Sequence, residues 1–373
     1  MAEITKAPWQ VKDELIEQPS WGGRYIVDLK GLGNDPAWAG KKVGQSYELA
    51  KASVLIDPSS GKEVALQALI AGDPAGVLGQ KVLDKFGADL SLLIKLTQAK
   101  GNSFQVHLPE GQTLGHWVPK PEAWFYLAPG LYTFGLKAGT DFEAYSRVLH
   151  TIDDEMGRLS REVLGGRFTV EEARAQAKGR IQSLDPFAYV NLVEAQADDV
   201  IDLTAGGIHH SWEDDSVRFP DGNLVYEVQV DVPDDKCSMR GFDKGKILDD
   251  GTLRPTHVKD YLATINQDAA HNQLSQHIRK PAVIAEADGA KVELLFRTAH
   301  FNTDRVTLTV GASLKQSLAD GFHHVFVHAG TATVGDHALA QGRSYVFPAA
   351  LGEYVLAAGG KDAVLLKTYL PVP

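Results

Sequence analysis

Two spacings of apolar residues divide this chain. Over residues 1–138 and again over 186–235, short apolar runs such as SLLIKL, EAWFYLA and YEVQV are cut by Gly, Pro and Asp every few positions. That rhythm predicts strands joined by turns, as in an all-β sandwich or barrel. Between these stretches the spacing lengthens to that of a helix, with Phe142, Tyr145, Leu149, Ile152 and Met156 on one face. Thr140 with Glu143, and Thr169 with Glu172, have the spacing of capping boxes and predict two helix starts, so residues 139–185 are expected to form a helical insertion. Residues 236–284 lose the strand rhythm, and Pro255 and Thr256 there lead into a short helix. Strand-like runs return over 285–373, in KVELLFRTAHF, HHVFVHAG, SYVFPAA and DAVLLKTYL. The expected fold is mainly β, with one helical insertion and a second β unit after residue 285.

Against this pattern one set of polar residues stands out. Gln105 and His107 are two apart in GNSFQVHLPEG, so a strand would place both side chains on one face. Glu122 lies in the strand candidate KPEAWFYLAPG, and His209 in DDVIDLTAGGIHHSW, where alternating apolar residues run into a Gly-rich turn. Ligands so far apart in sequence meet only inside a sheet closed on itself. Two imidazoles, a carboxylate and an amide oxygen suit a borderline divalent ion such as zinc, with a position left for water or substrate. His210 adjoins His209, and neighbours on an extended segment face opposite ways, so only one of the two can reach the ion.

The segments SFQVHLP, PKPEAWFYL and AGGIHHS resemble the metal motif of the type I phosphomannose isomerases, a zinc-dependent cupin family. The resemblance extends to WGGRYIVDLKG, VGQSYELA, SLLIKLTQAKGNSFQVH and YEVQVDVPDDKCSMRGFDKGK, and so covers most of the chain. It implies two cupin domains, each a jelly-roll β-barrel: a metal-binding barrel from 1–138 and 186–235, interrupted by the helical insertion 139–185, a connecting segment 236–284, and a C-terminal cupin-like barrel 285–373. It also implies one Zn2+ per chain held by Gln105, His107, Glu122 and His209, the register favouring His209 over His210. The implied activity is a metal-dependent aldose–ketose isomerisation that interconverts mannose 6-phosphate and fructose 6-phosphate, or a close sugar analogue, through an enediol. Arg240 and Lys120 would then stabilise the enediolate. Glu227 would carry the proton, or else form an ion pair with Arg240. Ser103 matches a serine associated with the phosphate, and Lys95 and Lys100 lie near it in sequence. Two segments depart from the family: His107-Leu108-Pro109-Glu110, where Pro and Asp usually follow the histidine, and Asp243-Lys244, where an acidic–aromatic pair is usual. These departures keep a catalytically inactive sugar-binding cupin in play, and the two histidines with a glutamate would also suit an iron-dependent cupin dioxygenase.

Composition narrows the setting. With 373 residues, 44% of them apolar, the chain can bury more than one core. A single cysteine, Cys237, excludes an intramolecular disulfide and fits a reducing compartment. The opening MAEITKAPWQVKDE has no apolar core of a signal peptide, and no run is long enough to span a bilayer, so a cytoplasmic protein without a membrane partner is expected. The net charge of −11 argues against a nucleic-acid partner. His323, His324 and His328 are not expected to form a second metal site, because adjacent histidines on a strand face opposite ways and no Gln or Glu falls at the matching positions.

Overall fold

The computed structural model describes residues 6–204 and 209–373; the side chains of His209 and His210 lie outside the description. A seven-stranded sheet runs in the order Ile278–Arg279, Val200–Asp202, Glu122–Tyr126, Asn223–Val230, Leu92–Ala99, Val43–Leu49, Glu14–Glu17. Its strand pairs are antiparallel. Alternation along the strands separates two kinds of face. Leu92, Ile94, Leu96, Phe125, Tyr226 and Val228 point into the largest apolar core. The cross-strand pairs Glu227 with Lys95, Glu227 with Trp124, and Gln229 with Glu122 occupy the other face. Both faces are enclosed, since every residue of Leu92–Ala99 is buried.

The largest core lies between this sheet and a nine-stranded one, and Phe296, Phe301, Phe326, Val346 and Leu366 reach it from the C-terminal half. The nine-stranded sheet also takes in Trp9–Val11 and Val54–Ile56, with Trp9 opposite Val346. Sheet membership therefore does not follow the sequence division at the N-terminal end. Apolar alternation says which face of a strand is buried, whereas its partner is fixed by contacts hundreds of residues away. Lys30 secures the junction of the halves: its ammonium lies 3.0 Å from Glu48 and 3.1 Å from Asp13 and donates to the Gly342 carbonyl.

Not all of residues 1–138 is strand and turn. Leu66–Gly72, Pro74–Leu78 and Gln80–Phe86 are short helices that put Leu66, Leu69, Ile70, Val77, Leu78 and Val82 into the main core. The 3- and 4-residue spacing of Leu66, Leu69 and Ile70 is helical, and Asp73 caps the middle helix by accepting from the Gly76 amide.

The helical insertion consists of Phe142–Leu164 and Val170–Leu184. Tyr145, Leu149, Ile152 and Met156 are buried as their spacing predicts, and Leu159 continues the stripe. The first cap differs from expectation by one residue. Asp141 accepts from the Ala144 amide, while the Thr140 hydroxyl donates to the Tyr189 carbonyl. The Thr169–Glu172 box forms with both reciprocal bonds. The apolar faces of the insertion pack with Phe104, Val106, Met239 and Phe242. These belong to a two-stranded ribbon of Phe104–Val106 and Met239–Phe242, which carries Gln105 opposite Arg240.

Candidate metal centre and its cavity

A cavity of about 360 Å³ opens over the polar face of the seven-stranded sheet and is closed on one side by the ribbon. Its lining includes Lys95, Ser103, Gln105, Lys120, Glu122, Glu227 and Arg240, which the sequence reading had singled out. His107 lies beneath the lining, 1% exposed. Its Nδ1 stands 2.6 Å from the Cys237 carbonyl oxygen. A carbonyl can only accept, so Nδ1 carries the proton and the other ring nitrogen turns to the site. That nitrogen, Nε2, is 3.5 Å from Glu122 Oε2. Two donors on a tetrahedral zinc, with bonds of about 2.0–2.1 Å, would be roughly 3.4 Å apart. The His107–Glu122 pair therefore has the donor chemistry and the separation of two ligands to one divalent ion. Gln105 is half-buried on the adjoining strand. The main chain of His209 pairs with Phe134 in a separate small sheet, but its side chain, like that of His210, lies outside the described residues, so the fourth expected ligand has no described geometry.

The cations converge from three directions. Lys120 Nζ is 2.9 Å from Glu122 Oε2, and both residues are buried. Burial alone would lower the lysine's pKa, but Glu122 and the neighbouring anionic groups outweigh it and hold the ammonium above its ordinary value. Lys95 Nζ is 3.0 Å from Glu227 Oε1, and Thr97 donates to Glu227 Oε2 at 3.1 Å. Glu227 is thus paired with Lys95 and not with Arg240, the partner considered from sequence; direct register across two strands fixes that choice. Arg240 reaches the cavity from the ribbon, and its buried Nε has no hydrogen-bond partner among the described residues. Ser103 is buried in the lining, in line with its two-residue offset from Gln105. Lys100 does not line the cavity; it follows the end of the strand Leu92–Ala99, and its amide donates to the Trp21 carbonyl.

Three charged lining residues escaped the sequence reading. Asp234 begins the helical turn Asp234–Cys237. Burial would raise its pKa, yet Lys120, then Lys95, Arg240 and His107, hold the carboxyl below the usual range. Lys246 and Arg254 come from the segment after the ribbon. Arg254 is bound by both oxygens of Asp243. Lys246 donates to the Gly101 carbonyl at 3.3 Å, and burial lowers its pKa against the opposing pull of Asp243. No motif spacing flags these two, because they stand in a loop whose path is set by Gly245, at φ 73°, and by packing on the insertion. Trp21, Trp124 and Trp212 complete the wall, and the rings of Trp124 and Trp212 are tilted together at 4.8 Å.

No protein-family model matches the sequence, and no curated protein matches it. Solved structures do. The mannose 6-phosphate isomerase of Bacillus subtilis superposes with a TM-score of 0.68 at 14% identity, over 98% of this chain and 100% of that one. The mannose 6-phosphate isomerase of Salmonella typhimurium, in a structure bound to fructose 6-phosphate and zinc, does so with a TM-score of 0.67 at 15% identity, over 98% of this chain and 100% of that one. The chain shares the fold of these enzymes along its whole described length.

Proposed function

We propose that this protein is a zinc-dependent aldose–ketose isomerase acting on mannose 6-phosphate and fructose 6-phosphate or a close hexose phosphate, and that its two β halves are cupin barrels. One observation carries the reading. His107 and Glu122, set at the separation of two ligands to one ion, sit at the floor of a cavity into which Lys95, Lys120 and Arg240 also point. Both solved structures named above belong to mannose 6-phosphate isomerases, and one holds zinc with fructose 6-phosphate.

Isomerisation removes a proton from the carbon beside a carbonyl and returns one to the carbonyl carbon, through an enediol whose oxygen carries developing charge. Gln105, His107, Glu122 and His209 would hold the zinc, which when bound supplies Lewis acidity at the substrate's carbonyl or neighbouring hydroxyl. Arg240, which lines the cavity, donates to the enediolate oxygens through its guanidinium. Lys120 neutralises Glu122 and can turn an N–H towards the same oxygens. Glu227 carries the proton, with Lys95 and Thr97 fixing its orientation. Ser103 and Lys246, both in the cavity lining, serve the phosphate; Lys95 is occupied by Glu227, and Lys100 lies outside the lining.

The test is a panel of phosphorylated and free aldoses assayed against protein whose metal content has been measured without prior exposure to chelator. About one zinc per chain with turnover of a hexose 6-phosphate supports the proposal. Full activity with less than about a tenth of an equivalent of any transition metal, or turnover of no sugar phosphate, contradicts it.

A further inference from the structure

Arg240 sits on one strand of the smallest possible sheet. Its ribbon has two strands, and the pairing slips between Arg240 and Phe242. A strand at a sheet edge leaves N–H and C=O groups for water or for another element, and an arginine hung on a loose edge would not hold its guanidinium in one place.

His257 fills that edge. Its amide donates to the Arg240 carbonyl at 2.6 Å, and its ring Nδ1 accepts from the Arg240 amide at 3.2 Å. One residue thereby satisfies both main-chain groups of Arg240, as a third strand would. His257 is the residue before the helix Val258–Thr264, yet its side chain makes no capping bond to that helix. The helix lies tightly on the ribbon: a Cβ at Gly241 would come within 2.4 Å of the Tyr261 ring, so only glycine permits the approach. Tyr261 is tied in turn to the helical insertion through a 2.9 Å contact with the Tyr145 hydroxyl. Trp117 closes the outside, its ring edge-on to His257 at 4.9 Å and its indole nitrogen donating to Asp260 at 2.8 Å.

We propose that His257 is a positioning residue for Arg240, its imidazole and main chain together clamping the arginine's backbone and so setting where the guanidinium enters the cavity. The inference deepens the isomerase reading and rests on it for the arginine's role. The clamp needs the ring nitrogen unprotonated, because a protonated Nδ1 would present a second donor to the Arg240 amide. The charged groups around the ring are Arg240 on the ribbon, His116 in the loop before Trp117, Asp260 on the following helix and Asp153 on the insertion. Burial first, then Arg240 and His116 against the two aspartates, keep the ring neutral to lower pH than an ordinary histidine. The clamp therefore stays closed to a lower pH than an ordinary histidine would allow and opens on further acidification.

Two variants and two readouts test this in the zinc-loaded protein. Asparagine can place its amide oxygen where Nδ1 stands and does not titrate; leucine has no acceptor. In 15N-arginine-labelled protein, the Arg240 amide should exchange with solvent about tenfold faster in His257→Leu, and within about threefold of wild type in His257→Asn. With mannose 6-phosphate, kcat should fall about tenfold in His257→Leu with KM nearly unchanged. His257→Asn should keep most of kcat and lose the part of the acid limb that the histidine contributes. Unchanged amide exchange in His257→Leu would overturn the clamp, and faster exchange with unchanged kcat would overturn its positioning role. The exchange measurement needs no turnover, so it decides the clamp even in a protein that isomerises no hexose phosphate, a result that would count against the functional reading alone.

Discussion

Acidification from pH 7 to pH 5 should weaken this fold through two buried histidines in the C-terminal half. His323 and His324 are adjacent on the strand His323–Ala329 and point to opposite faces. The His323 ring meets the Tyr354 hydroxyl at 2.7 Å, whereas His324 Nε2 meets the Glu48 carbonyl at 3.1 Å, across the junction of the halves. Burial, then Lys367, pushes His323 down to about 3. Burial, with Lys30 adding to it against the Glu48 carbonyl, does the same to His324. A histidine whose folded pKa is depressed stays neutral in the fold while the unfolded chain takes up a proton near pH 6.5, so unfolding gains protons and stability drops as pH falls. From pH 7 to pH 5 each contributes about 2 kcal/mol, and the pair about 4 kcal/mol, a large share of the 5–15 kcal/mol of a typical domain. Asparagine reaches the Nδ1 position and glutamine the Nε2 position, so His323→Asn with His324→Gln keeps both bonds and removes the titration. Urea unfolding at the two pH values should show the double variant losing about 4 kcal/mol less than wild type between pH 7 and pH 5. An equal loss in both proteins would refute the assignment of these histidines as neutral and buried.

Arg240→Ala should keep its zinc and its fold while kcat on mannose 6-phosphate drops by roughly a hundredfold, measured by coupled assay with parallel metal analysis. His209→Ala should lose metal and activity, whereas His210→Ala should retain metal; the reverse pattern would move the ligand by one residue. Lys246→Ala should raise KM for the hexose phosphate about tenfold and leave kcat within about twofold, as expected for an ion pair lost equally from ground and transition states.

The parts of this molecule that could be read from its sequence are those in which side-chain period and chemistry coincide. The alternation in SLLIKLTQA separates Leu92, Ile94 and Leu96 from Lys95 and Thr97, and the sheet puts those two sets on opposite faces. The stripe from Tyr145 to Met156 located the insertion, although competition between neighbouring cap residues moved its start from Thr140 to Asp141. What could not be read was non-local. Trp9 has no sequence sign of its partner Val346, and Glu227 none of its preference for Lys95 over Arg240. Lys246, Arg254 and His257 lie in a segment without strand rhythm, where position depends on what the loop packs against.

The central claim, that this cavity passes a proton between two adjacent sugar carbons through an enediol, is tested most directly by running the reaction in D2O. Zinc-loaded protein given fructose 6-phosphate should form mannose 6-phosphate carrying deuterium at C2, seen by proton NMR as loss of the C2 signal, and Glu227→Gln should suppress both product and label. Mannose 6-phosphate formed over many turnovers with no deuterium at C2, or no product from the metal-replete protein, would contradict the account.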